Sequence, residues 1–259
     1  MINLKIKKIL LKKKKTPITC LTAYSKPIAE IADRYCDIIL VGDSVGMVLY
    51  GMKSTKEIKI ETMILHAKAV KKSSKKSLVV FDMPYKTYEN KFKAYKNAKK
   101  VIKETKCDAI KLEGGEKIFD IIKYLTNKGI PVMGHVGLLP QTTKKFKVKG
   151  VNNKEKIKIL KDAQSINNAG AFAVVIECVK ESLAKEITNK ISIPTIGIGA
   201  SKFCDGQILV IDDILGLSDF KPKFVKKYSK LNNIIENSIK NYVKDVKLKK
   251  FPSNKHVYK

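Results

Sequence analysis

The sequence predicts an α/β protein, a (β/α)₈ TIM barrel with an N-terminal capping helix and a long C-terminal helix. Eight short apolar segments alternate with segments of helical periodicity across 259 residues. About 250 residues is the usual length of such a barrel. Several of the apolar segments end in a carboxylate, at the position where a barrel enzyme carries its active site. An open, doubly wound sheet is the alternative for the same pattern.

We expect a single barrel domain with three parts. Over residues 1–259 these are an N-terminal helix at 1–15, the barrel at 16–220, and a C-terminal helix and tail at 221–259. Ile6, Ile9 and Leu10 form a short apolar stripe, which suits a helix that closes one end of a barrel. A longer stripe between Val225 and Tyr242 predicts a closing helix over Lys223–Val246.

In the first half of the chain, the predicted strands are runs of β-branched and other apolar residues that stop at polar, glycine or proline positions. They are Pro17–Tyr24, Asp37–Ser44, Ser77–Pro84 and the strand within Asp108–Glu116, which ends at paired glycines. Apolar residues at helical spacing predict the helices between them, at Pro27–Tyr35, 57–71 and Lys91–Lys106.

The second half repeats this alternation. Its predicted strands are Pro131–His135, Phe172–Glu177, Pro194–Ala200 and Gln207–Asp213, and its helices are Glu116–Asn127, a helix that ends at Asn168 after the basic loop Gln141–Asn153, and 180–190. The seventh crossover is the weakest part of the pattern, because residues 201–206 can hold one helical turn at most.

The net charge of +29 raises the question of nucleic-acid binding, since a basic face is its electrostatic footprint. Almost all of this charge is lysine, and Arg34 is the only arginine. The guanidinium fork that contacts phosphate and guanine in two places is therefore nearly absent. The lysines also lie on predicted helices and loops, as solvated surface residues do. We expect no nucleic-acid partner.

Cysteine usage and hydropathy favour a cytoplasmic protein. Cys20, Cys36, Cys107, Cys178 and Cys204 are odd in number and scattered, a pattern typical of reduced, buried thiols. No apolar run approaches the length of a membrane span, and Met1–Thr16 has too many lysines for a secretory signal. We therefore expect no membrane partner.

Polar side chains recur at the ends of predicted strands two to six, where a barrel would gather them at one mouth. They are Asp43, Asp82, Glu113, His135 and Glu177. Lys111 lies two residues before Glu113 and so faces the same side of its strand. Carboxylates gathered in one place resist ionisation unless a cation joins them. Oxygen ligands with several positions left open suit Mg²⁺.

Each of these residues also has a structural interpretation. Lys111 and Glu113 could form a buried ion pair without a catalytic role. Asp43 could cap the following helix, a position that Ser44 suits as well, and Asp82 could be a turn residue before Met83 and Pro84. His135 could be a core histidine whose ring nitrogens are satisfied by neighbours.

Six linked motifs resemble the ketopantoate hydroxymethyltransferase family, in unbroken order from about Thr16 to Tyr228. They are V-G-D-S at Val41–Ser44, D-M-P at Asp82–Pro84, K-L-E-G-G-E at Lys111–Glu116, G-H-V-G-L-L-P-Q at Gly134–Gln141, I-E-C-V at Ile176–Val179, and I-P-T-I-G-I-G-A with D-G-Q-I-L-V within Ile193–Val210. The resemblance implies a cytosolic homodecamer with one Mg²⁺ per subunit. It also implies hydroxymethyl transfer from 5,10-methylenetetrahydrofolate, the co-substrate, to 3-methyl-2-oxobutanoate, giving 2-dehydropantoate for pantothenate synthesis.

The resemblance also implies a role for each matching residue. Asp43 and Asp82 match the metal ligands, and Glu113 completes the metal site. Asp43, Ser44, Asp82 and Lys111 match the substrate-binding residues, Glu177 matches the catalytic base, and His135 is a candidate proton relay. The chain departs from the family pattern at Ser25, at Lys86 and Thr87, and in a shorter loop after His135. These departures concern folate contacts and loop closure, and the predicted metal site is unchanged.

Two other functions compete with this prediction. A Mg²⁺-dependent carbon–carbon lyase of the phosphoenolpyruvate mutase and isocitrate lyase type would also act on 2-oxo acids through an enolate. Such a lyase is expected to carry an active cysteine in a catalytic loop, and no cysteine here lies in a suitable one. A basic scaffold that binds RNA or an acidic partner is the non-enzymatic alternative, and its binding would fall steeply with salt.

Overall fold

The computed structural model describes residues 3–143, 147–220 and 222–258. The chain forms two compact units, Met1–Val210 and Ile211–Lys259. The division of the chain into one domain with boundaries after 15 and 220 stays a prediction. Parts of the predicted N-terminal helix, of the basic loop after Gln141 and of the C-terminal segment lie outside the described residues, at 1–2, 144–146, 221 and 259.

In the described part of the first unit, eight parallel strands close into a barrel in which each strand pairs with the next and the last pairs with the first. They are β1 (Ile18–Thr22), β2 (Ile38–Val41), β3 (Leu78–Asp82), β4 (Ala109–Glu113), β5 (Val132–Gly137), β6 (Ala173–Glu177), β7 (Thr195–Ile198) and β8 (Gly206–Leu209). The predicted (β/α)₈ barrel is confirmed, and the open sheet is wrong because β1 pairs with β8.

One helix precedes the first strand, and helices follow most of the strands. They are α1 (Leu4–Leu11), α2 (Lys26–Tyr35), α3 (Val45–Val48), α4 (Ile60–Ser73), α5 (Lys91–Thr105), α6 (Phe119–Asn127), α7 (Asn153–Asn168) and α8 (Glu181–Lys190) in the first unit, and α9 (Ile211–Leu215) and α10 (Leu231–Lys247) in the second. The segment 199–205 between β7 and β8 is described throughout and contains no helix, so the seventh crossover is as short as its sequence indicates.

The barrel interior is filled by inward-facing β-branched and other apolar side chains, such as Ile18, Ile38 and Val80. Ile6 and Ile9 of α1 are buried in the same cluster, so the predicted closure of one barrel end by the first helix is confirmed. Burial of such side chains contributes roughly 1.5–3 kcal/mol each. This closed end leaves the opposite end, where the strands terminate, for polar side chains.

Two predicted boundaries near the C-terminus are wrong. The strand predicted over Gln207–Asp213 ends at Leu209, and α9 takes its second half. Asp212 and Asp213 lie in the first turn of that helix, where the helix dipole favours negative charge. The closing helix begins at Leu231 instead of Lys223, because the backbone N–H groups of Tyr228 and Ser229 donate to the carbonyl oxygen of Ile214 instead of forming helical hydrogen bonds.

Within the described ranges, every helix is too short or too polar to cross a membrane.

Candidate active site

The predicted site residues meet at the carboxyl ends of neighbouring strands. Asp82, Glu113 and Glu177 are the last residues of β3, β4 and β6, and Asp43 lies two residues after β2. His135 of β5 is the register partner of Glu113. All five side chains are buried, as is Lys111. The structure therefore brings together the residues that the strand-end pattern selected.

Lys111 and Asp82 form the shortest ion pair among the described residues of the site. Its Nζ lies 2.9 Å from both carboxylate oxygens of Asp82 and 3.6 Å from Oε1 of Glu113. Burial disfavours the charged ammonium, but the two carboxylates outweigh burial and raise the pKa of Lys111 above its usual value. Lys111 is therefore a fixed positive charge at the centre of the site. An ion pair of this kind is consistent with the structural interpretation as well as with a binding role.

Asp43 is held by a neutral donor in the described part of the chain. Its Oδ2 accepts a hydrogen bond from Nε2 of Gln141 at 2.8 Å, and its backbone N–H donates to Oδ2 of Asp82 at 3.3 Å. Burial and the negative charges of Asp82 and Glu113 raise the pKa of Asp43 well above its usual range. Ser44 holds the N-cap position of α3 without a capping hydrogen bond, so neither residue serves the helix in the way the capping interpretation requires.

His135 lies between two carboxylates. Its Nδ1 is 3.4 Å from Oε1 of Glu113 and its Nε2 is 3.2 Å from Oε2 of Glu177. Both ring nitrogens are buried, and in the described structure neither contact has the geometry of a hydrogen bond. Burial and Lys111 lower the pKa of His135, but the two carboxylates outweigh them and raise it to about 9. Because each ring nitrogen faces a carboxylate of the site, His135 belongs to the charged cluster and not to the apolar core.

Ser44 contacts a neighbour that the sequence analysis did not select. Its Oγ lies 2.7 Å from the hydroxyl of Tyr24, just after β1, and either oxygen can be the donor. This contact fixes the direction of a hydroxyl at the mouth of the barrel. Tyr24 belongs to the T-A-Y sequence at the end of the first predicted strand, and its strand-end position is the pattern that could have identified it.

Gln141 and Tyr88 are two further residues of the site that the strand-end pattern does not reveal. Gln141 is fully buried and contacts the site from the loop after β5, and the hydroxyl of Tyr88 donates to its Oε1. Gln141 ends the G-H-V-G-L-L-P-Q motif, where an amide directly after a proline turn has the composition of an ordinary surface loop. Only the three-dimensional path of this loop brings its side chain inward.

The donor atoms around Asp43 and Asp82 suit a hard divalent cation. Among the described residues, no three His, Cys, Asp or Glu side chains are grouped closely enough to hold a metal ion by themselves. Mg²⁺, however, is usually held by one or two carboxylates and keeps its other positions for water and substrate oxygens. Burial raises the pKa of both Asp43 and Asp82 and so makes their negative charge costly, a cost that a bound cation would offset. These residues therefore fit Mg²⁺.

Comparison with known families decides where this barrel belongs. The model of the family described as ketopantoate hydroxymethyltransferase matches residues 3–254. The chain belongs to the ketopantoate hydroxymethyltransferase family. Among its relatives named 3-methyl-2-oxobutanoate hydroxymethyltransferase, one from Pelagibacter ubique (strain HTCC1062) is 54% identical over 99% of this chain and 100% of the relative. One from Rhizobium etli is 51% identical over 94% of this chain and 91% of the relative.

Solved structures with the same fold are much more distant in sequence. A phosphonopyruvate hydrolase in complex with oxalate and Mg²⁺ aligns with a TM-score of 0.63 and 12% identity, over 97% of this chain and 93% of that one. A phosphoenolpyruvate phosphomutase from Streptomyces platensis aligns with a TM-score of 0.63 and 10% identity, over 94% of this chain and 86% of that one. These likenesses show the barrel fold alone, so the lyase alternative has only distant support.

Membership of the ketopantoate hydroxymethyltransferase family makes this chain a transferase of one-carbon units that acts on small molecules. The predicted function and enzyme class are therefore confirmed, and the enzyme family is favoured over the non-enzymatic scaffold.

Proposed function

We propose that the buried cluster at the ends of β2 to β6 transfers a hydroxymethyl group from 5,10-methylenetetrahydrofolate to 3-methyl-2-oxobutanoate and yields 2-dehydropantoate and tetrahydrofolate for pantothenate synthesis. The observation that carries this proposal is the joint burial of four carboxylates, one lysine and one histidine around one barrel mouth. Burying several charges in one place is costly unless groups or ions of opposite charge pair with them. A divalent cation would pair with the carboxylates, and an anionic 2-oxo acid would pair with the lysine.

Asp43 and Asp82 are the proposed direct ligands of Mg²⁺, and Glu113 completes the site from the next strand. When bound, the cation supplies a Lewis acid that stabilises negative charge developing on the oxo group of the substrate. Lys111 offers its ammonium to the substrate carboxylate, and Ser44 offers the hydroxyl that Tyr24 orients at 2.7 Å. Asp43, Ser44, Asp82 and Lys111 thus form the proposed substrate-binding set.

Glu177 is the proposed base that removes the proton from C3 of 3-methyl-2-oxobutanoate. It ends β6, and its Oε2 lies 3.2 Å from Nε2 of His135. An imidazole at this distance orients the carboxylate and can exchange a proton with it. His135 is therefore the proposed proton relay.

Assembly, location and cofactor stoichiometry follow from family membership and stay proposals. We propose a cytoplasmic homodecamer with one Mg²⁺ per subunit. Light scattering during size-exclusion chromatography measures the mass of the assembly, and metal analysis of the same peak gives the ratio of Mg²⁺ to chain. A stable monomer would contradict the assembly proposed here.

The proposed reaction is tested by following tetrahydrofolate formation from methylenetetrahydrofolate with and without 3-methyl-2-oxobutanoate. We expect turnover that needs both substrates, stops with a chelator and returns with Mg²⁺. Product analysis should identify 2-dehydropantoate. Turnover that persists in the chelator would remove the cation from the proposal, and the absence of 2-dehydropantoate would overturn the reaction itself.

A further inference from the structure

Gln141 is the one loop residue that contacts two of the proposed cation carboxylates in the described structure. It is fully buried. Its side-chain Nε2 donates to Oδ2 of Asp43 at 2.8 Å, and its backbone N–H donates to Oε2 of Glu113 at 3.1 Å. One residue of the loop after β5 therefore fixes carboxylates that belong to two different strand ends.

The orientation of the Gln141 amide is determined by its other neighbours. The second N–H of Nε2 faces the backbone carbonyl oxygen of Met83 at 3.0 Å, and a carbonyl can only accept. Oε1 accepts the hydroxyl proton of Tyr88, whose oxygen in turn accepts from the backbone N–H of Glu113 at 3.3 Å. Turning the amide over would place acceptor against acceptor at Asp43 and at Met83. The amide therefore presents a donor to Asp43.

The contacts of Gln141 involve one oxygen of Asp43 and one of Glu113, and they do not involve Oδ1 of Asp43 or Oε1 of Glu113. The amide of Gln141 engages Oδ2 of Asp43 and its backbone engages Oε2 of Glu113, so one oxygen of each carboxylate accepts from a neutral donor. Neutral donors fix direction without adding positive charge that would compete with a cation. Residues that hold metal ligands in this way typically change metal affinity 10–100-fold when they are removed.

We propose that Gln141, held by Tyr88, is a positioning residue that orients Asp43 and Glu113 for divalent-cation binding and so couples the loop after β5 to the cation site. This inference rests on the proposed function, because it assumes that these carboxylates hold Mg²⁺. It adds a residue and a loop to a site otherwise built from strand ends.

Calorimetric titration of the full-length protein with MgCl₂ tests the inference without reference to activity. Gln141→Met keeps the length of the side chain and removes its amide. Tyr88→Phe removes the hydroxyl that donates to Oε1 of Gln141 and accepts from the backbone N–H of Glu113. Gln207→Met is the matched control, because Gln207 is exposed on β8 and its Nε2 donates to a backbone oxygen of Ser201 instead of a carboxylate. Thermal melting of each variant establishes that it is folded.

We expect Gln141→Met to raise the Kd for Mg²⁺ at least tenfold, Tyr88→Phe to raise it by a smaller factor, and Gln207→Met to leave it unchanged. Saturating Mg²⁺ should restore most of kcat in Gln141→Met, which a distorted fold would not allow. Wild-type affinity in folded Gln141→Met overturns the inference, and if that variant does not fold, wild-type affinity in Tyr88→Phe does so. Absence of Mg²⁺ binding in the wild-type protein is a separate result, which overturns the proposed cation site and this inference with it.

Discussion

At the scale of single residues, the site is short of positive charge. Four buried carboxylates face one ammonium and one imidazole, and burial is the largest cause that raises the pKa values of Asp43 and Asp82. The like charges of Asp82 and Glu113 add to burial at Asp43, whereas Lys111 partly offsets burial at Asp82. A divalent cation would supply the missing charge. The individual contributions of the two aspartates can therefore be separated by removing charge while keeping shape.

Asp82→Asn should abolish measurable Mg²⁺ binding, because the amide keeps the size of the side chain and removes the charge that offsets dehydration of the cation. It also leaves Lys111 without its carboxylate partner at 2.9 Å. Calorimetry with MgCl₂ measures the effect, with Asp120→Asn on the exposed face of α6 as the control. Unchanged affinity in Asp82→Asn would show that this carboxylate serves Lys111 alone.

Glu177→Gln should retain Mg²⁺ and 3-methyl-2-oxobutanoate but lose proton removal at C3. Exchange of the C3 hydrogen with deuterated water, followed by NMR without folate, should slow by about a hundredfold or more, as expected for loss of a general base. Glu181→Gln, exposed at the start of α8, is the control. Exchange at the wild-type rate would transfer the role of base to His135, and loss of Mg²⁺ would make Glu177 a ligand.

At the scale of strands and helices, an element could be predicted from the sequence wherever its own residues determine its structure. The buried runs that end in Asp82, Glu113 and Glu177 show both their length and their polar ends locally, so the barrel and most of the site could be predicted. Gln141 could not, because its burial depends on how the loop after β5 folds over other strands. The segment after Leu209 could not either, since a short apolar run is compatible with strand or helix.

Asp205 joins the segment after α1 to the seventh and eighth strands. It accepts hydrogen bonds from Nζ of Lys13 at 2.8 Å, from the backbone N–H of Lys14 at 2.9 Å, and from both the backbone N–H and the hydroxyl of Thr195. Burial raises the pKa of Asp205, but these donors outweigh burial and hold it below its usual value. The stabilisation is therefore present above the pKa of the unfolded chain and is lost as pH falls through the folded value.

Asp205→Asn should lower the free energy of unfolding by about 1–3 kcal/mol at pH 7, because an amide group replaces an oxygen that accepts several donors. The deficit should shrink below about pH 4, where the wild-type carboxylate begins to protonate in the unfolded chain. Urea unfolding at several pH values measures it, with exposed Asp219→Asn as the control. A deficit that stays constant down to pH 2 would mean that shape, not charge, matters at this position.

At the scale of the whole molecule, the surface is more basic than the composition suggests. The chain carries 53 basic and 24 acidic residues, and nine of the acidic residues are buried in the described structure, whereas Lys111 is the one lysine buried there. Most of the ion pairs outside the site are exposed, and such pairs contribute little stability. Repulsion among surface lysines should therefore dominate the electrostatic part of the unfolding free energy.

Added salt should consequently stabilise this protein. Raising NaCl from 0.01 M to 0.15 M shortens the screening length from about 30 Å to about 8 Å, which weakens repulsion between distant lysines more than attraction within close pairs. We expect Tm to rise by several degrees over this range, measured by calorimetry at pH 7. NaCl and Na₂SO₄ at equal ionic strength separate screening from anion binding, since screening alone gives equal shifts. A Tm that falls with NaCl would mean that attraction within ion pairs outweighs repulsion among the lysines, despite the net charge of +29.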